Sequence, residues 1–241
     1  MKLSLCIFLF TFLSYGQVVN YEGVKHLVFT LKHATDTTTV DGIDWKKENL
    51  ISEFTLQGKF PLKYSIKIEN DSVAILLKYE NAEWILQENI HISDWTLNDI
   101  DNYKIVSKFR IIDFNEDNNE DLLCAIFINM HNNISSNIFL NDPSQEKLLK
   151  LYDHVEDTDV WSNPTYNKKR MTINCKVYSG LFGIQSESTY KLTNNIIVPL
   201  NKIVIDFTSY EFMVIEKFYG YAGKWHLVKE KRKRIRDYNT D

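Results

Sequence analysis

The chain has 241 residues, of which 44% are hydrophobic, 25% charged and 13% aromatic. This composition is typical of a globular protein and excludes a disordered chain, and the 8 glycines and 4 prolines exclude collagen-like and low-complexity sequences. The formal net charge of −4 does not indicate a nucleic-acid-binding protein. The length is sufficient for one large domain or two small ones.

The first 16 residues have the order of a secretory signal peptide. Lys2 precedes a short apolar segment, which ends at the small residues Ser14 and Gly16. That segment, of about ten residues, is too short to cross a bilayer comfortably, although a short membrane anchor or a buried strand is the alternative interpretation. We expect cleavage after Gly16, a mature chain without a transmembrane segment, and a soluble protein in the periplasm or outside the cell.

Strand-like alternation dominates the remaining chain. In residues 63–68 it places Tyr64, Ile66 and Ile68 on one face of a strand, and the turn residues Asn70-Asp71 predict a hairpin with the next segment. Further strand-like segments are residues 25–31, 50–57, 83–91, 103–112, 122–130, 170–178, 187–192, 195–205, 212–219 and 224–229. Helical periodicity is scarce, and only residues 44–52 are predicted to form a short helix.

Many short strands separated by turns predict an all-β fold with little helix, an antiparallel sandwich, barrel or partial propeller-like meander. A repeat of about 20–50 residues is absent from the sequence, which disfavours a regular full propeller. A soft boundary near residue 100 divides an N-terminal β meander, residues 17–100, from a β region, residues 101–241. Because no Ser/Gly/Pro linker separates these two regions, we equally expect residues 17–241 to form one compact domain.

An acidic segment has the spacing of a calcium loop. Side-chain oxygens stand at positions 1, 3, 5 and 9, and a backbone carbonyl is available at position 7. The predicted Ca²⁺ ligands are Asp113, Asn115, Asp117, Asn119 and Asp121. Calcium takes about six to eight oxygen ligands, and a tight loop turns alternate side chains inward. Asn118 stands where such loops prefer Gly, and Asn is the next-best residue for a left-handed backbone.

Five carboxylates lie within residues 113–121, and they repel one another unless a cation compensates them. The alternative interpretation is a solvated acidic turn. Strand-like flanks, and Cys124 in place of the glutamate at position 12, disfavour an EF-hand. We expect the ion to be structural and to hold two strands together, with a direct partner contact as a secondary role.

The segment from Asp113 to Leu122 resembles the D-x-N-x-D-G-x-x-D-L calcium loop of FG-GAP/VCBS-type repeats, with Asn118 in place of Gly. The residues that follow resemble a family of small secreted bacterial proteins carrying one such loop. The similar segments are residues 137–141, 161–167, 168–175, 179–180 and 187–192. In all, the resemblance covers roughly residues 103–192.

A member of that family acts as an immunity protein against a lysozyme-like antibacterial effector in the cell envelope, and its fold is similar to that of periplasmic lysozyme inhibitors. The resemblance implies a calcium-binding, non-enzymatic protein whose partner is a lysozyme-like enzyme. Such an inhibitor inserts an exposed polar loop into an active-site cleft. Residues 179–183 and 131–137 are the candidate contact loops.

Motifs for catalysis are missing from the sequence. It contains no nucleophile elbow, P-loop or dinucleotide-binding motif, and its 6 histidines lack zinc-ligand spacing. We therefore expect no enzyme and no catalytic residue. The alternatives are an envelope polysaccharide hydrolase, which needs only two suitably spaced carboxylates, and a carbohydrate-binding surface module, which would expose a row of aromatic residues.

Three further features allow more than one interpretation. Cys124 and Cys175 remain after signal-peptide cleavage, and they form either a disulfide or two buried thiols. Residues 229–236 hold six basic residues in eight, either as a solvated final strand and tail or as a site for anionic lipid, polysaccharide or an acidic partner. A second acidic cluster around His154, in residues 153–159, lacks strict alternation, and we expect no cation there.

Overall fold

The computed structural model describes most of the chain. The described ranges are residues 18–21, 24–31, 50–70, 72–93, 99–101, 104–131, 133–179, 183–209 and 211–234. The predicted signal peptide, residues 1–16, and residues 44–49 of the predicted helix lie outside these ranges. The last part of that predicted helix, residues 50–52, is instead the beginning of a strand, because its buried side chains alternate with partly exposed ones.

The described residues form strands and turns and no helix, which confirms the predicted all-β class. In chain order the strands are β1 (Val18–Tyr21), β2 (Val24–Leu31), β3 (Leu50–Leu56), β4 (Leu62–Asn70), β5 (Val73–Glu80), β6 (Glu83–His91), β7 (Asp99–Asp101), β8 (Lys104–Ile112), β9 (Asp121–Ile128), β10 (Ile134–Asp142), β11 (Lys147–Lys150), β12 (Trp161–Ser162), β13 (Thr165–Asn167), β14 (Thr172–Val177), β15 (Ile184–Thr193), β16 (Ile196–Asp206), β17 (Phe212–Tyr221) and β18 (Lys224–Arg234). In these ranges no helix has the length and apolarity needed to span a membrane.

The strands form two large antiparallel sheets, and neither closes into a barrel. The first has 12 strands, with the main order β11-β10-β9-β8-β2-β3-β4-β5-β6 and with β1, β12 and β7 paired beside β2, β10 and β8. The second has 6 strands in sequence order, from β13 to β18. Strands from both sides of residue 100 belong to the first sheet, since β2 pairs with β8.

Tight hairpins connect many neighbouring strands. Two-residue turns with positive φ at both positions join β5 to β6, β15 to β16 and β17 to β18, and such turns match the right-handed twist of the flanking strands. Their residues are Asn81 and Ala82, Asn194 and Asn195, and Ala222 and Gly223. Asparagine and glycine tolerate this left-handed backbone best, so these local residues set the register of the sheets.

The first core lies on one face of the 12-stranded sheet. Tyr64, Ile66 and Ile68 of β4 are fully buried, which confirms the face predicted from alternation. The Tyr64 hydroxyl accepts a hydrogen bond from the Leu148 amide at 3.0 Å, so its polar end is satisfied.

The second core lies between the two sheets. It joins Leu123 of β9 and Leu140 of β10 to Ile173, Tyr190 and other apolar residues of the smaller sheet. Strands β9 and β10 therefore contribute to both cores, because alternate residues of each strand face opposite sides. The acidic segment directly precedes β9. Because β9 contributes to both cores, this segment lies where the two cores meet.

The two cysteines lie in different cores, and both thiols are free. Cys124 is fully buried in the first core, whereas Cys175 of β14 packs against the second core. β9 and β14 belong to different sheets, so the disulfide alternative is not the one adopted. Burial raises the pKa of the Cys175 thiol to about 12, which keeps it protonated and unreactive.

Candidate functional site

The acidic loop connects β8 to β9 and is wound around its own aspartates. Both Asp113 carboxylate oxygens accept backbone amides, from Asp117 at 2.9 Å and from Asn118 at 2.9 Å. Asn118 has φ of 69°, the left-handed conformation that the spacing assigned to this position. Glu116 also has a positive φ, of 53°, so the loop turns sharply twice within three residues.

The middle of the loop repeats this pattern. Asp117 Oδ1 accepts the Asn119 amide at 2.8 Å and the Asn119 side-chain amide at 3.0 Å. The Asn115 side-chain amide donates to Asp117 Oδ2 at 3.0 Å. The predicted ligand residues at positions 3, 5 and 7 are thereby in direct contact, and position 1 reaches them through the Asp117 amide.

Asp121 is fully buried at the base of the loop. Its two carboxylate oxygens accept the amides of Phe114 and Asn141, each at 2.8 Å. Burial raises the pKa of Asp121 to about 7, while these two hydrogen bonds oppose the rise. The carboxyl group thus fastens the start of the loop to β10, since Asn141 lies in that strand.

The other side of the loop docks on the β3–β4 connection. The Asn119 side-chain oxygen accepts the Lys59 amide at 3.0 Å, and the Glu120 carboxylate accepts the Gln57 amide at 2.8 Å. A Cβ at Gly58 would lie 2.5 Å from Asn119 Oδ1, so only glycine permits this approach. The predicted ligand atom of Asn119 is its backbone carbonyl oxygen, and its side-chain oxygen is occupied by this docking contact.

Two lysines near the loop form ion pairs with its glutamates. Lys168 pairs with Glu116 at 3.6 Å, and Lys25 pairs with Glu120. Within the described ranges no lysine or arginine forms an ion pair with the aspartates at positions 1, 5 and 9 of the loop. Among the described residues, the carboxylates at the predicted ligand positions therefore have no cationic side-chain partner, whereas the two carboxylates between them each have one.

The donor set of the loop is chemically suited to calcium, because every side chain at a ligand position offers a carboxylate or amide oxygen. Asn141, whose amide binds Asp121, also carries a buried Oδ1 without a hydrogen-bond partner in the described part of the chain. In the arrangement adopted, no three His, Cys, Asp or Glu side chains among the described residues are grouped closely enough to hold a metal. Asp113 and Asp117 are instead directed to loop amides.

An open groove of about 380 Å³ adjoins the outer side of the loop. It is lined by Asp117 and Tyr166, and by Asn194 and Asn195 of the β15–β16 turn. The groove brings the loop next to the smaller sheet, a neighbourhood that sequence spacing did not predict.

One candidate contact loop, residues 131–137, contacts Tyr178, the residue directly before the other candidate loop, residues 179–183. Asn133 donates to the Tyr178 carbonyl at 2.6 Å and accepts the Tyr178 amide at 2.7 Å. Asn163 donates a third hydrogen bond, to the Asn133 side-chain oxygen at 2.9 Å. Residues 134–137 belong to β10 rather than to a loop, and residues 180–182 lie outside the described ranges.

A second groove, of about 190 Å³, contains two carboxylates. Asp153 is 2% exposed and accepts the Val155 amide at 2.8 Å, and Glu156 pairs with Lys202 at 2.7 Å. Both carboxylates thus have partners within the protein, Asp153 a backbone amide and Glu156 a lysine.

Protein-family models give no match to this sequence, and no curated protein matches it either. A solved structure described as that of a Xanthomonas type IV secretion system related protein is similar to this chain, with a TM-score of 0.45 and 17% sequence identity. The similarity covers 88% of this chain and 92% of the other.

Proposed function

We propose that the protein is a secreted or periplasmic, non-enzymatic binding protein stabilised by calcium in the loop of residues 113–121. The observation that carries the proposal is the charge distribution around the loop. Lysines neutralise Glu116 and Glu120, and they leave the aspartates at the ligand positions for another cation.

The proposed ligands are the side chains of Asp113, Asn115, Asp117 and Asp121 with the backbone carbonyl of Asn119. A carboxylate oxygen has more than one acceptor site, so an oxygen that accepts a backbone amide can also bind a cation. The loop amides that bind Asp113 and Asp117 keep the chain curved around the position of the ion.

The proposed role of the ion is structural. The loop contacts β10 through Asp121 and the β3–β4 connection through Asn119, so an ion inside it would strengthen the junction of these elements. A ligand that binds only the folded state raises the free energy of unfolding, and at high concentration the increase follows the logarithm of the ratio of ligand concentration to Kd.

The test is thermal unfolding of the purified protein in calcium, in magnesium and in chelator. We expect calcium to raise the melting temperature and Asp117→Asn to abolish that rise. The matched control is Asp157→Asn, which removes one charge from an exposed aspartate of the other acidic turn and should retain the full calcium response. Equal melting temperatures in calcium and chelator would contradict the proposal.

We further propose that the partner is a lysozyme-like enzyme, on the basis of the resemblance of residues 103–192. The supporting geometry is the junction between Asn133 of candidate loop 131–137 and Tyr178, the residue directly before candidate loop 179–183. Beside this junction Tyr178 is 51% exposed and Met130 is 91% exposed. Exposed aromatic and methionine side chains on a rigid support are common anchors in protein interfaces.

The partner test is inhibition of a panel of lysozymes by the purified protein. We expect Tyr178→Ala to weaken inhibition by at least about tenfold, as for an anchor residue. Tyr221→Ala, a matched truncation of another exposed tyrosine, should leave inhibition unchanged. Binding of the enzymes that is unaffected by Tyr178→Ala would contradict this surface, and no inhibition of any enzyme would contradict the partner class.

A carbohydrate-binding surface module is the second candidate function, and one observation favours it. Tyr79 and Trp84 form an edge-to-face pair at 5.1 Å, and Lys63 lies over both rings. Tyr79 is 41% exposed, so a sugar ring has access to this pair. Co-sedimentation with peptidoglycan that is lost in Tyr79→Ala would favour this candidate over the inhibitor.

A further inference from the structure

The last hairpin of the smaller sheet has two faces of different character. Residues directly opposite each other on paired strands share a face, so Gly220 and Trp225 lie on one face, and Tyr219 and His226 lie on the other. Trp225 packs against Tyr190 at 5.8 Å between ring centroids, which identifies its face as the inner one. The opposite face is called the outer face below.

Lysines are concentrated on the outer face. In the register of β17 and β18, the lysines on this face are Lys217, Lys224, Lys229, Lys231 and Lys233. Both glutamates of the two strands, Glu216 and Glu230, are paired on the inner face. None of the five lysines forms an ion pair with any described residue, so their charge is not compensated locally.

An aliphatic strip lies beside these lysines. Met213 and Ile215 of β17 occupy the outer face, and Ile203 and Ile205 of β16 are their neighbours in the same register. All four side chains are partly exposed. Farther along β17, the outer-face tyrosines Tyr219 and Tyr221 are 55% and 69% exposed.

We infer that the outer face of β16–β18 is a docking surface for an anionic lipid bilayer. Charge complementarity carries the inference, because a protein with a net charge of −4 concentrates five uncompensated lysines on one face of a hairpin. Each lysine or arginine near an anionic membrane surface contributes about 1 kcal/mol to binding. Stable attachment needs an apolar contribution as well as a polybasic one, and the aliphatic strip supplies it.

The aliphatic strip and the tyrosines favour a bilayer over an acidic polysaccharide. Transfer of methionine and isoleucine side chains from water into the boundary between headgroups and acyl chains is favourable, whereas a hydrated polysaccharide offers them no apolar phase. Tyrosine is enriched at membrane interfaces because its ring is apolar and its hydroxyl is polar. The docking surface is independent of the calcium loop and of the proposed partner.

The test is co-sedimentation of the purified mature protein, residues 17–241, with phosphatidylcholine vesicles that contain or lack phosphatidylglycerol. We expect binding only when phosphatidylglycerol is present. The double substitution Lys231→Gln and Lys233→Gln should weaken partitioning by about 25-fold, which is two charges at about fivefold each.

The matched control is Arg232→Gln with Arg234→Gln. These arginines alternate with the lysines on the same strand, so the charge change is identical, and the two variants differ in the face affected and in the loss of the Arg232–Glu230 ion pair. Vesicle binding that survives in the arginine variant and falls in the lysine variant supports the inference. Equal losses in both variants would overturn it in favour of an unstructured polybasic segment.

Two additional measurements complete the test. A Met213→Gln variant should also bind the vesicles more weakly, because the apolar contact is reduced. Absence of vesicle binding together with retention on dextran sulfate would overturn the inference in favour of a polysaccharide surface. Far-ultraviolet circular dichroism and the melting temperature verify that each variant is folded.

Discussion

The two acidic turns of the protein carry similar charge and neutralise it in different ways. In the turn of residues 153–159, Glu156 pairs with Lys202 at 2.7 Å and Asp159 pairs with Lys150. Asp153 is buried and closes the turn by exchanging backbone hydrogen bonds with Thr158. Lysines thus compensate two of the four carboxylates of this turn, and the other two accept hydrogen bonds, Asp153 from the Val155 amide and Asp157 from the Tyr152 hydroxyl.

In the loop of residues 113–121, the lysines reach only the glutamates between the ligand positions. The aspartates at positions 1 and 5 accept loop amides, and Asp121 accepts amides from Phe114 and Asn141. Backbone amides carry partial charge only, so a divalent cation has more to contribute here than in the other turn. The location of neighbouring lysines, rather than the number of carboxylates, separates the two turns.

The largest expected effect is that of Asp121→Ala. The substitution leaves the buried amides of Phe114 and Asn141 without acceptors, and each unsatisfied donor costs about 1–3 kcal/mol. For two donors we expect a loss of about 2–6 kcal/mol in the free energy of unfolding in urea. Asp157→Asn in the other turn should cost less than about 1 kcal/mol, because that residue is exposed and asparagine tolerates its positive φ of 52°. Similar losses in the two variants would remove the distinction between the turns.

Substitution of Gly58 tests the docking of the loop on the β3–β4 connection. A Cβ at this position would meet Asn119 Oδ1 at 2.5 Å and the Asn119 Cα at 3.2 Å, so the loop must shift. Overpacking of this kind typically costs about 1–3 kcal/mol. We expect Gly58→Ala to lower the urea midpoint and also to weaken the calcium response. A stable variant with full calcium response would show that the loop functions without this contact.

The pH dependence of stability tests the burial of Asp121. Its pKa is raised to about 7 in the folded protein, so the folded state holds this proton more tightly than the unfolded state. The resulting stabilisation is full below the ordinary carboxyl pKa and is lost as the pH rises through about 7. In chelator, the free energy of unfolding of the native protein minus that of Asp121→Asn should therefore decrease as the pH is raised from about 4 to about 7. A difference that grows with pH would contradict the direction of the shift.

The smallest effect is expected at Lys202 in the other turn. Its ion pair with Glu156 is partly exposed, and pairs of this kind contribute about 0.2–1 kcal/mol. We expect Lys202→Gln to lower stability by that amount in calcium and in chelator alike. The check is urea unfolding in both buffers. A larger loss in chelator alone would indicate that calcium also occupies the second turn.

Local features of the fold were predictable because they depend on neighbouring residues. Period-two alternation located β4, and the asparagine turns located several hairpins. The curvature of the acidic loop was also predictable, since its aspartates bind amides only two to five residues away. The order of the β14–β18 segments in the smaller sheet follows the chain, so it required no long-range information.

β10 was not predicted from the sequence, for a physical reason. Both of its faces are buried, so the apolar–polar alternation of a half-exposed strand is absent. Its buried Asn137 and Asn141 reinforce the polar appearance, and their side-chain amides are satisfied by the carbonyls of Asp159 and Glu120. The strand-like segments predicted from the sequence therefore do not include β10, and its first residues were instead assigned to the candidate contact loop 131–137.

By itself the sequence determined the all-β class, the positions of many strands and the spacing of oxygen donors in residues 113–121, because each depends on contacts within a few residues. Only the tertiary structure decided that Lys25, which is 95 residues away, neutralises Glu120, and that Asn133 binds Tyr178 across 45 residues. It also decided that the lysines of β18 share a face with those of β17. Such partners are selected by sheet order and register, which depend on the packing of the whole chain rather than on local sequence.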